Sequence, residues 1–271
     1  MRSVVSHFFN EEYLLPWWLK HHVALFDHGV LIDHGSSDRS ADICRELAPH
    51  WRLVRSRLTH FDAYLTDFEV MGFEQELPGW KMALNVTEFL LPAQPLDEYQ
   101  RHLSSLGRQG CAATGMLVVD SAPESPASPE RPLALDKHVV VDDNAITEPA
   151  ARARLGIGHI PFRNRFFHCL PVGMYHPGRH CSFHPDSLFR FTDLFVLHYG
   201  FAPWNANTIR RKLQIASKLV PADLQRGWGS QHTKSVDQLT ATFQSLLPLA
   251  QDLAQFPGGA AALARLPALI A

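Results

Sequence analysis

Three short runs, each closing on polar residues and separated by stretches of helical period, constrain this chain more than anything else in it. Val4 to Phe9 leads into Asn10-Glu11-Glu12. Val30-Leu31-Ile32 leads into Asp33-His34-Gly35-Ser36-Ser37-Asp38. Lys81 to Leu84 leads into Asn85-Val86-Thr87-Glu88-Phe89-Leu90. Between the first two, Leu15, Trp18, Leu19, Val23 and Phe26 recur on one helical face. Pro16 suits a first turn and Gly29 ends the helix. Between the second and third, Ser37 or Asp38 can cap a helix over 39–48, which Pro49 stops. A short strand over 51–54 and a helix over 62–77 follow, the latter broken by Pro78-Gly79. This β-α-β-α-β order predicts a parallel sheet with right-handed crossovers. The polar strand ends then share one rim, where open α/β sheets bind ligands.

Farther along, 115–119, 137–141 and 194–197 read as strands and 208–219 as a helix with Arg210, Arg211, Lys212 and Lys218 on its polar side. Residues 236–270 are Ala- and Leu-rich and read as helical, interrupted at Pro257-Gly258-Gly259 and at Pro267. Pro123, Pro126, Pro129 and Pro132 exclude helix and interior strand from 121–132. The predicted organisation is an α/β half over 1–120, a half over 121–235 that completes the same domain, and a helical segment over 236–271.

The net charge of −2 gives no basic field to recruit nucleic acid. Cys44, Cys111, Cys169 and Cys181 are widely spaced and read as reduced thiols. No apolar run reaches the ~18 residues of a membrane span. The expected setting is the cytoplasm, with peripheral membrane attachment left open. Histidine is over-represented at 16 residues, six of them between His159 and His198. Each is by itself more often a core or surface residue than a site residue, but one or two can serve as ligand, phosphate donor or base.

Taken in order, Asn10-Glu11, Trp17-Trp18-Leu19-Lys20-His21-His22, Asp33 to Asp38 and Asn85 to Phe89 resemble the family-two-like glycosyltransferases with a GT-A fold. The closest subgroup carries Asn-Glu, a Trp-rich helix, Asp-Asn-Gly-Ser-Thr-Asp and Asp-x-Asp-Glu-Phe. The resemblance covers roughly residues 3 to 92, with an echo at Leu197-His198-Tyr199 and the basic helix at Arg211-Lys212. It implies a GT-A-like, Rossmann-type, mostly parallel sheet flanked by helices, with a helical C-terminal part. It also implies transfer of a sugar from a nucleotide-sugar donor to a glycan or small-molecule acceptor, with inversion. Bacterial polysaccharide biosynthesis is the setting it suggests.

The departures fall on the metal motif. Asn85 and Thr87 stand where the family carries aspartates, Glu88 alone keeps a carboxylate, and His34 replaces the usual Asn or Asp. On the resemblance, Asn10, Glu11, Asp33, His34, Asn85, Thr87, Arg179, Arg211 and Lys212 hold the nucleotide. Glu88 and His198 are the ligands left for Mg²⁺ or Mn²⁺, and the cation is optional. One carboxylate binds such a hard cation poorly, whereas fixed basic side chains can neutralise a leaving diphosphate. Arg163 and Arg165 are further basic candidates. For the base that deprotonates the acceptor, His198, His180 and Asp136 lead, with Asp142, Asp143 and Glu148 also open. Two other readings stand beside this one. A catalytically inactive GT-A-like protein binding a nucleotide or glycan accounts for the altered Asp-x-Asp. A nucleotidyltransferase on a similar sheet lacks its Gly-rich basic loop, since Asn10-Glu11-Glu12 stands there, and a His-rich metallohydrolase would need His176, His180 and His184 on a helix that Pro177, Gly178 and Pro185 disfavour.

Overall fold

The computed structural model describes residues 1–142, 163–226, 229 and 232–270, the side chains of 269 and 270 excepted. It is an α/β protein whose mostly parallel central sheet is flanked by helices. The first half alternates as the sequence predicts: β1 (Arg2–Phe8), α1 (Leu15–Val23), β2 (His28–Asp33), α2 (Ser40–Leu47), β3 (Arg52–Arg55), α3 (Ala63–Glu76) and β4 (Trp80–Ala83). Next come β5 (Glu88–Pro92), α4 (Leu96–Ser105), β6 (Gly110–Val119), α5 (Leu133–Asp136), β7 (Val139–Asp142) and β8 (Arg165–His168). The chain closes with β9 (Arg190–Phe201), α6 (Ala206–Gln214), α7 (Pro221–Gln225), α8 (Val236–Leu246), β10 (Gln251–Asp252) and α9 (Gly259–Ile270).

The sheet order is β10-β7-β6-β8-β4-β1-β2-β3, with β9 joined to β6 and β5 to β9. Among the described strands, β5, β7 and β8 run against the other seven. One sheet therefore crosses residue 120, and β10 extends it into the C-terminal segment. Side chains alternate between two faces, as strand geometry requires. Val4 and Leu31 pack with α1, α2, α4 and α9, whereas Val5, Val30 and Ile32 pack under Val70 and Phe73 of α3.

Three differences from the sequence reading bear on the site. Residues 88–92, to which the sequence reading assigns no element, form β5, because Glu88 to Pro92 pair in register with His198 to Leu194. The His- and Pro-rich stretch before residue 193 contains β8, whose antiparallel place between β4 and β6 cannot be read from local pattern. The basic helix stops at Gln214 and runs on as a 3₁₀ turn over Ile215–Lys218.

The Trp-rich motif on α1 is structural. Strand β5 pairs only with β9 among the described strands, so its other edge needs partners. The Trp18 indole donates to Glu88 O (2.9 Å), Leu90 N donates to His22 Nε2 (3.2 Å), and His21 Nε2 lies 2.6 Å from Leu90 O. Accepting from Leu90 requires a neutral His22, and burial lowers the pKa of both rings, His21 to about 4. This helix thereby fixes the strand that begins at Glu88.

Candidate active site

The loops after β1 and β2 are bound to each other and to α6. Asn10, with φ of 50°, accepts from Ser37 N and donates from its own N–H to Ser36 Oγ. Glu11 N donates to Ser40 Oγ. Asp33 Oδ1 accepts from Ser36 N at 2.8 Å, so one of its oxygens holds the turn. Helix α6 is capped by Asn205, whose Oδ1 accepts from Asn207 and Thr208 N–H groups and whose Nδ2 donates to the Tyr13 hydroxyl. The Gln214 amide donates to the carbonyls of Phe9 and Asn10. Arg211 forms a two-pronged pair with Glu11, at 2.5 and 3.2 Å. Its remaining Nη1 is buried without a hydrogen bond. A guanidinium with an unused buried donor is a place for an anionic ligand.

Beneath this lies a closed ionic network. Glu88 is buried and gripped by both prongs of Arg165, with Arg165 Nε 2.7 Å from Glu88 Oε2. Asn85 N and Nδ2 also donate to Glu88, at 2.8 and 3.3 Å. Asn85 Oδ1 accepts from Arg179 Nη2 at 2.6 Å, and Arg179 Nη1 pairs with Asp67 of α3. Arg179 itself is left-handed, at φ 61°, a conformation that costs a non-glycine residue energy and persists where surrounding contacts fix it. Here those contacts are two backbone bonds on the preceding residue: Gly178 O accepts from Arg165, and Gly178 N donates to Asp67. Thr87 contributes its carbonyl to Tyr199 N at 2.7 Å.

This donor set does not fit a divalent cation. Both oxygens of its carboxylate accept from a guanidinium, and the Asn85 oxygen accepts from a second one. Among the described residues no three His, Cys, Asp or Glu side chains are grouped to hold a metal.

Beside the network stands a second group of cations. Glu88 lies opposite His198 in register, and His198 opposite Leu117 on β6. Arg163 Nη1 lies 2.5 Å from His198 Nδ1. Glycine makes both placements fit: a Cβ at Gly115 would lie 2.4 Å from Arg163 O, and one at Gly200 would lie 2.9 Å from His198 Cε1. Lys212, one residue after Arg211, sets its ammonium 3.9 Å above the Phe201 ring. Burial, with Arg163, Arg211 and Lys234 near it, pulls its pKa down to about 7. Burial and the surrounding Arg163 and Lys212 hold His198 well below the usual histidine range. His180 is lowered in the same way by burial and then by Arg165, Arg163 and Arg179, and its Nδ1 makes no hydrogen bond. Both imidazoles are neutral at pH 7.

At the ends of β1 and β2, rings gather beside the charges of Asp33 and Lys218. His34 stacks on Phe61 at 4.2 Å, and its Nδ1 lies 3.2 Å from His7 Nε2. The Lys218 ammonium lies 4.6 Å from the Phe9 ring centre. Burial and then Lys218 lower the pKa of His34.

The structure thus brings Asn10, Glu11 and Arg211 into one set of contacts, Asn85, Glu88 and Arg179 into another, and His198, His180 and Lys212 into a shared electrostatic field. Asp136 stands apart, at the end of α5 with Arg131 3.5 Å away. Asp143, Glu148 and His159 lie outside the described residues. Sequence reasoning did not single out Asp67, which joins from α3. Its place among Val70 and Phe73, three and six residues on, was the available signal, though Glu74 shares that buried face.

No protein-family model matches the chain, and no curated protein sequence matches it. Solved structures with a similar course of chain include glucosyl-3-phosphoglycerate synthase from Mycobacterium tuberculosis with Mn²⁺, UDP and glucosyl-3-phosphoglycerate. It is 14% identical over 90% of this chain and 80% of that one, with a TM-score of 0.36. HddC from Yersinia pseudotuberculosis is 12% identical over 74% of this chain and 95% of that one, at 0.37. S. aureus TarS 1-349 with UDP-GlcNAc is 12% identical over 47% of this chain and 37% of that one, at 0.31. The chain spans 23% of the longer S. aureus TarS chain. At these identities and scores the likeness carries no functional assignment, which rests on the residues themselves.

Proposed function

We propose that this protein is a glycosyltransferase that takes a nucleotide-activated sugar and holds its diphosphate with fixed cations rather than a metal ion. The observation that carries the reading is the group at the strand-end rim. Lys212 has no carboxylate partner among the described residues, Arg211 has an unused buried donor, and Arg163 touches His198. Clustered like charges in a partly desolvated site are satisfied by an anion. Preorganised cations can stabilise a leaving diphosphate without solvent rearrangement. Asp33, with His34, Phe61 and Phe9 beside it, is the place for the base and ribose. Asn10, Glu11, Asn85 and Thr87 line the same rim.

In the reaction the acceptor hydroxyl oxygen attacks the anomeric carbon, the bond from that carbon to the diphosphate oxygen breaks, and the nucleoside diphosphate departs. The acceptor proton passes to a neutral imidazole, His198 or His180. Glu88 and Glu11 are engaged by arginines, which supports direct displacement with inversion over a carboxylate-bound intermediate. Those same engaged carboxylates keep a second reading in view, a protein that binds the nucleotide sugar without turning it over.

The test is a panel of UDP-, GDP-, CMP- and dTDP-sugars in thermal shift, with Mn²⁺ or EDTA, followed by assay of released nucleotide. A ligand that binds only the folded state raises Tm by mass action. The expected result is a rise with one base that EDTA leaves intact, together with nucleotide release on adding acceptor. A rise without release supports the second reading. A rise that requires Mn²⁺ overturns the cation-held diphosphate.

A further inference from the structure

Two carboxylates lie buried on one face of α3. Asp67 and Glu74 stand there with Val70 and Phe73, at spacings of three and four. A buried carboxylate destabilises a fold unless its lone pairs are met. Among the described residues their donors come from one short hairpin, 173–183, and from His168. At the tip of the hairpin Asp67 accepts from Gly178 N at 2.8 Å and pairs with Arg179. At its base Glu74 accepts from Gly173 N at 2.8 Å and from the Tyr175 hydroxyl at 2.5 Å. His168, the last residue of β8, sets its Nε2 3.4 Å from Glu74 and 3.2 Å from the Tyr175 oxygen. Burial, with Glu74 beside it, holds the Tyr175 pKa well above the usual tyrosine range, so the hydroxyl keeps its proton and donates. Lys81 ties the same end of α3 to the hairpin's approach, donating to Glu74 O at 2.9 Å and to Pro171 O at 3.4 Å.

The hairpin is also closed within itself. Phe183 N donates to Met174 O, His176 N to Cys181 O, and Ser182 Oγ to Gly173 O at 2.6 Å. Met174 and Arg179 are both left-handed, at φ 50° and 61°. Such strain survives where neighbouring contacts over-determine the backbone, and it gathers at functional sites. Next to Arg179 the tip presents His180, whose Nδ1 is buried without a hydrogen bond. His198 differs. A guanidinium only donates, so the contact from Arg163 makes His198 Nδ1 the acceptor and leaves the ring proton of a neutral imidazole on Nε2. The lone pair of His198 is taken, whereas His180 keeps an uncommitted nitrogen. Burial and the surrounding arginines lower the basicity of His180, and the negative charge of a bound diphosphate raises it again.

We propose that Glu74 and Tyr175 are positioning residues for sugar transfer, clamping the hairpin to α3 so that His180, rather than His198, takes the acceptor proton. The proposal rests on the glycosyltransferase reading. The acceptor O–H bond breaks as its oxygen bonds the anomeric carbon, the proton goes to His180, and the electron pair of the anomeric bond leaves on the diphosphate. Glu74 and Tyr175 are both buried and act through the hairpin backbone. A displacement of about 1 Å at the reacting group costs on the order of 100-fold in rate.

Nucleotide release from the sugar nucleotide that raises Tm in the panel, with water as acceptor, tests it beside calorimetric titration of the nucleotide. Tyr175→Phe, which removes a single oxygen, and Glu74→Gln should each lower kcat about tenfold to a hundredfold per folded molecule. Kd for the nucleotide should stay within about twofold of the parent. In the unliganded protein the imidazole signals of His180, assigned with His180→Gln, should broaden or split in both variants. The parent's rate should fall on the acid side as its base is protonated. His180→Gln should remove that limb, and His198→Gln should keep it whatever its rate. Variants that lose Tm but turn over like the parent, a Kd that worsens in step with kcat, or an acid limb that survives His180→Gln overturns the proposal alone. A parent that binds no sugar nucleotide, or binds one and releases nothing, overturns it together with the reading beneath it.

Discussion

The Glu88 network and the Lys212 group are built from the same kinds of side chain on neighbouring strands and loops, yet Lys212, unlike the arginines around Glu88, meets no carboxylate among the described residues. Around Glu88 each guanidinium meets a carboxylate: Arg165 grips Glu88 and Arg179 grips Asp67. Around Lys212 the neighbours are Arg163, Lys234, Arg211, which is itself paired with Glu11, and the histidines His198 and His232. The first arrangement pairs its charges without a ligand, with Arg179 Nε the one guanidinium nitrogen of that pair of arginines buried without a hydrogen bond. The second leaves an ammonium with like charges, which folding tolerates and an anion would relieve. Position 85 marks the divide, because an asparagine there accepts from Arg179 where an aspartate would bring a charge.

The sharpest way to break this comparison is to unpair the closed side. Glu88→Ala leaves Arg165 buried with no carboxylate, and breaking a buried pair from one side costs about 3–5 kcal/mol. Urea unfolding should show a loss of that size at pH 7. A loss under about 1 kcal/mol would mean that the network is looser than its geometry.

On the open side, Lys212→Met should do the reverse. It removes a cation from a cationic group, so stability should stay within about 1 kcal/mol of the parent or rise. Nucleoside diphosphate affinity should fall about tenfold to a hundredfold, the range for one charge-assisted hydrogen bond of about 1.5–3 kcal/mol. Calorimetric titration checks the affinity. An unchanged affinity would move the diphosphate away from α6, and a large loss of stability would make Lys212 structural.

How far the sequence reached depends on whether the information was local. Strand ends at Asn10, Asp33 and Asn85 were legible, because alternation, turn chemistry and helix punctuation are written in consecutive residues. The cations at 163, 165, 179, 211 and 212 were legible as types. Their pairing was not, since Arg165–Glu88 spans 77 residues and Arg179–Asp67 spans 112. Strand β8 was missed for the same reason: its four residues become a strand only between β4 and β6. The Trp-rich helix was readable as a helix, but its work of satisfying the free edge of β5 is a tertiary property.

The smallest effect is the most specific to the open side, and it concerns pH. Lys212 has an ordinary pKa of 10.5 in the unfolded chain and about 7 in the folded one. Between those values the unfolded chain holds a proton that the folded protein lacks, so this group makes stability rise with pH from about 7 toward 10.5. As pH falls through 7 the folded ammonium forms among its like-charged neighbours and that contribution is gone. Diphosphate binding needs the ammonium and runs the other way, weakening as pH climbs above 7. A bound anion also raises the lysine pKa, so the nucleotide complex should lose affinity at a higher pH than the free protein loses its proton. Unfolding and nucleotide titrations at pH 6.5, 7.5 and 8.5 should therefore slope in opposite directions, and Lys212→Met should flatten the Lys212 share of both. Parallel slopes, or slopes that survive the substitution, would assign the titration to another group and remove Lys212 from the diphosphate site.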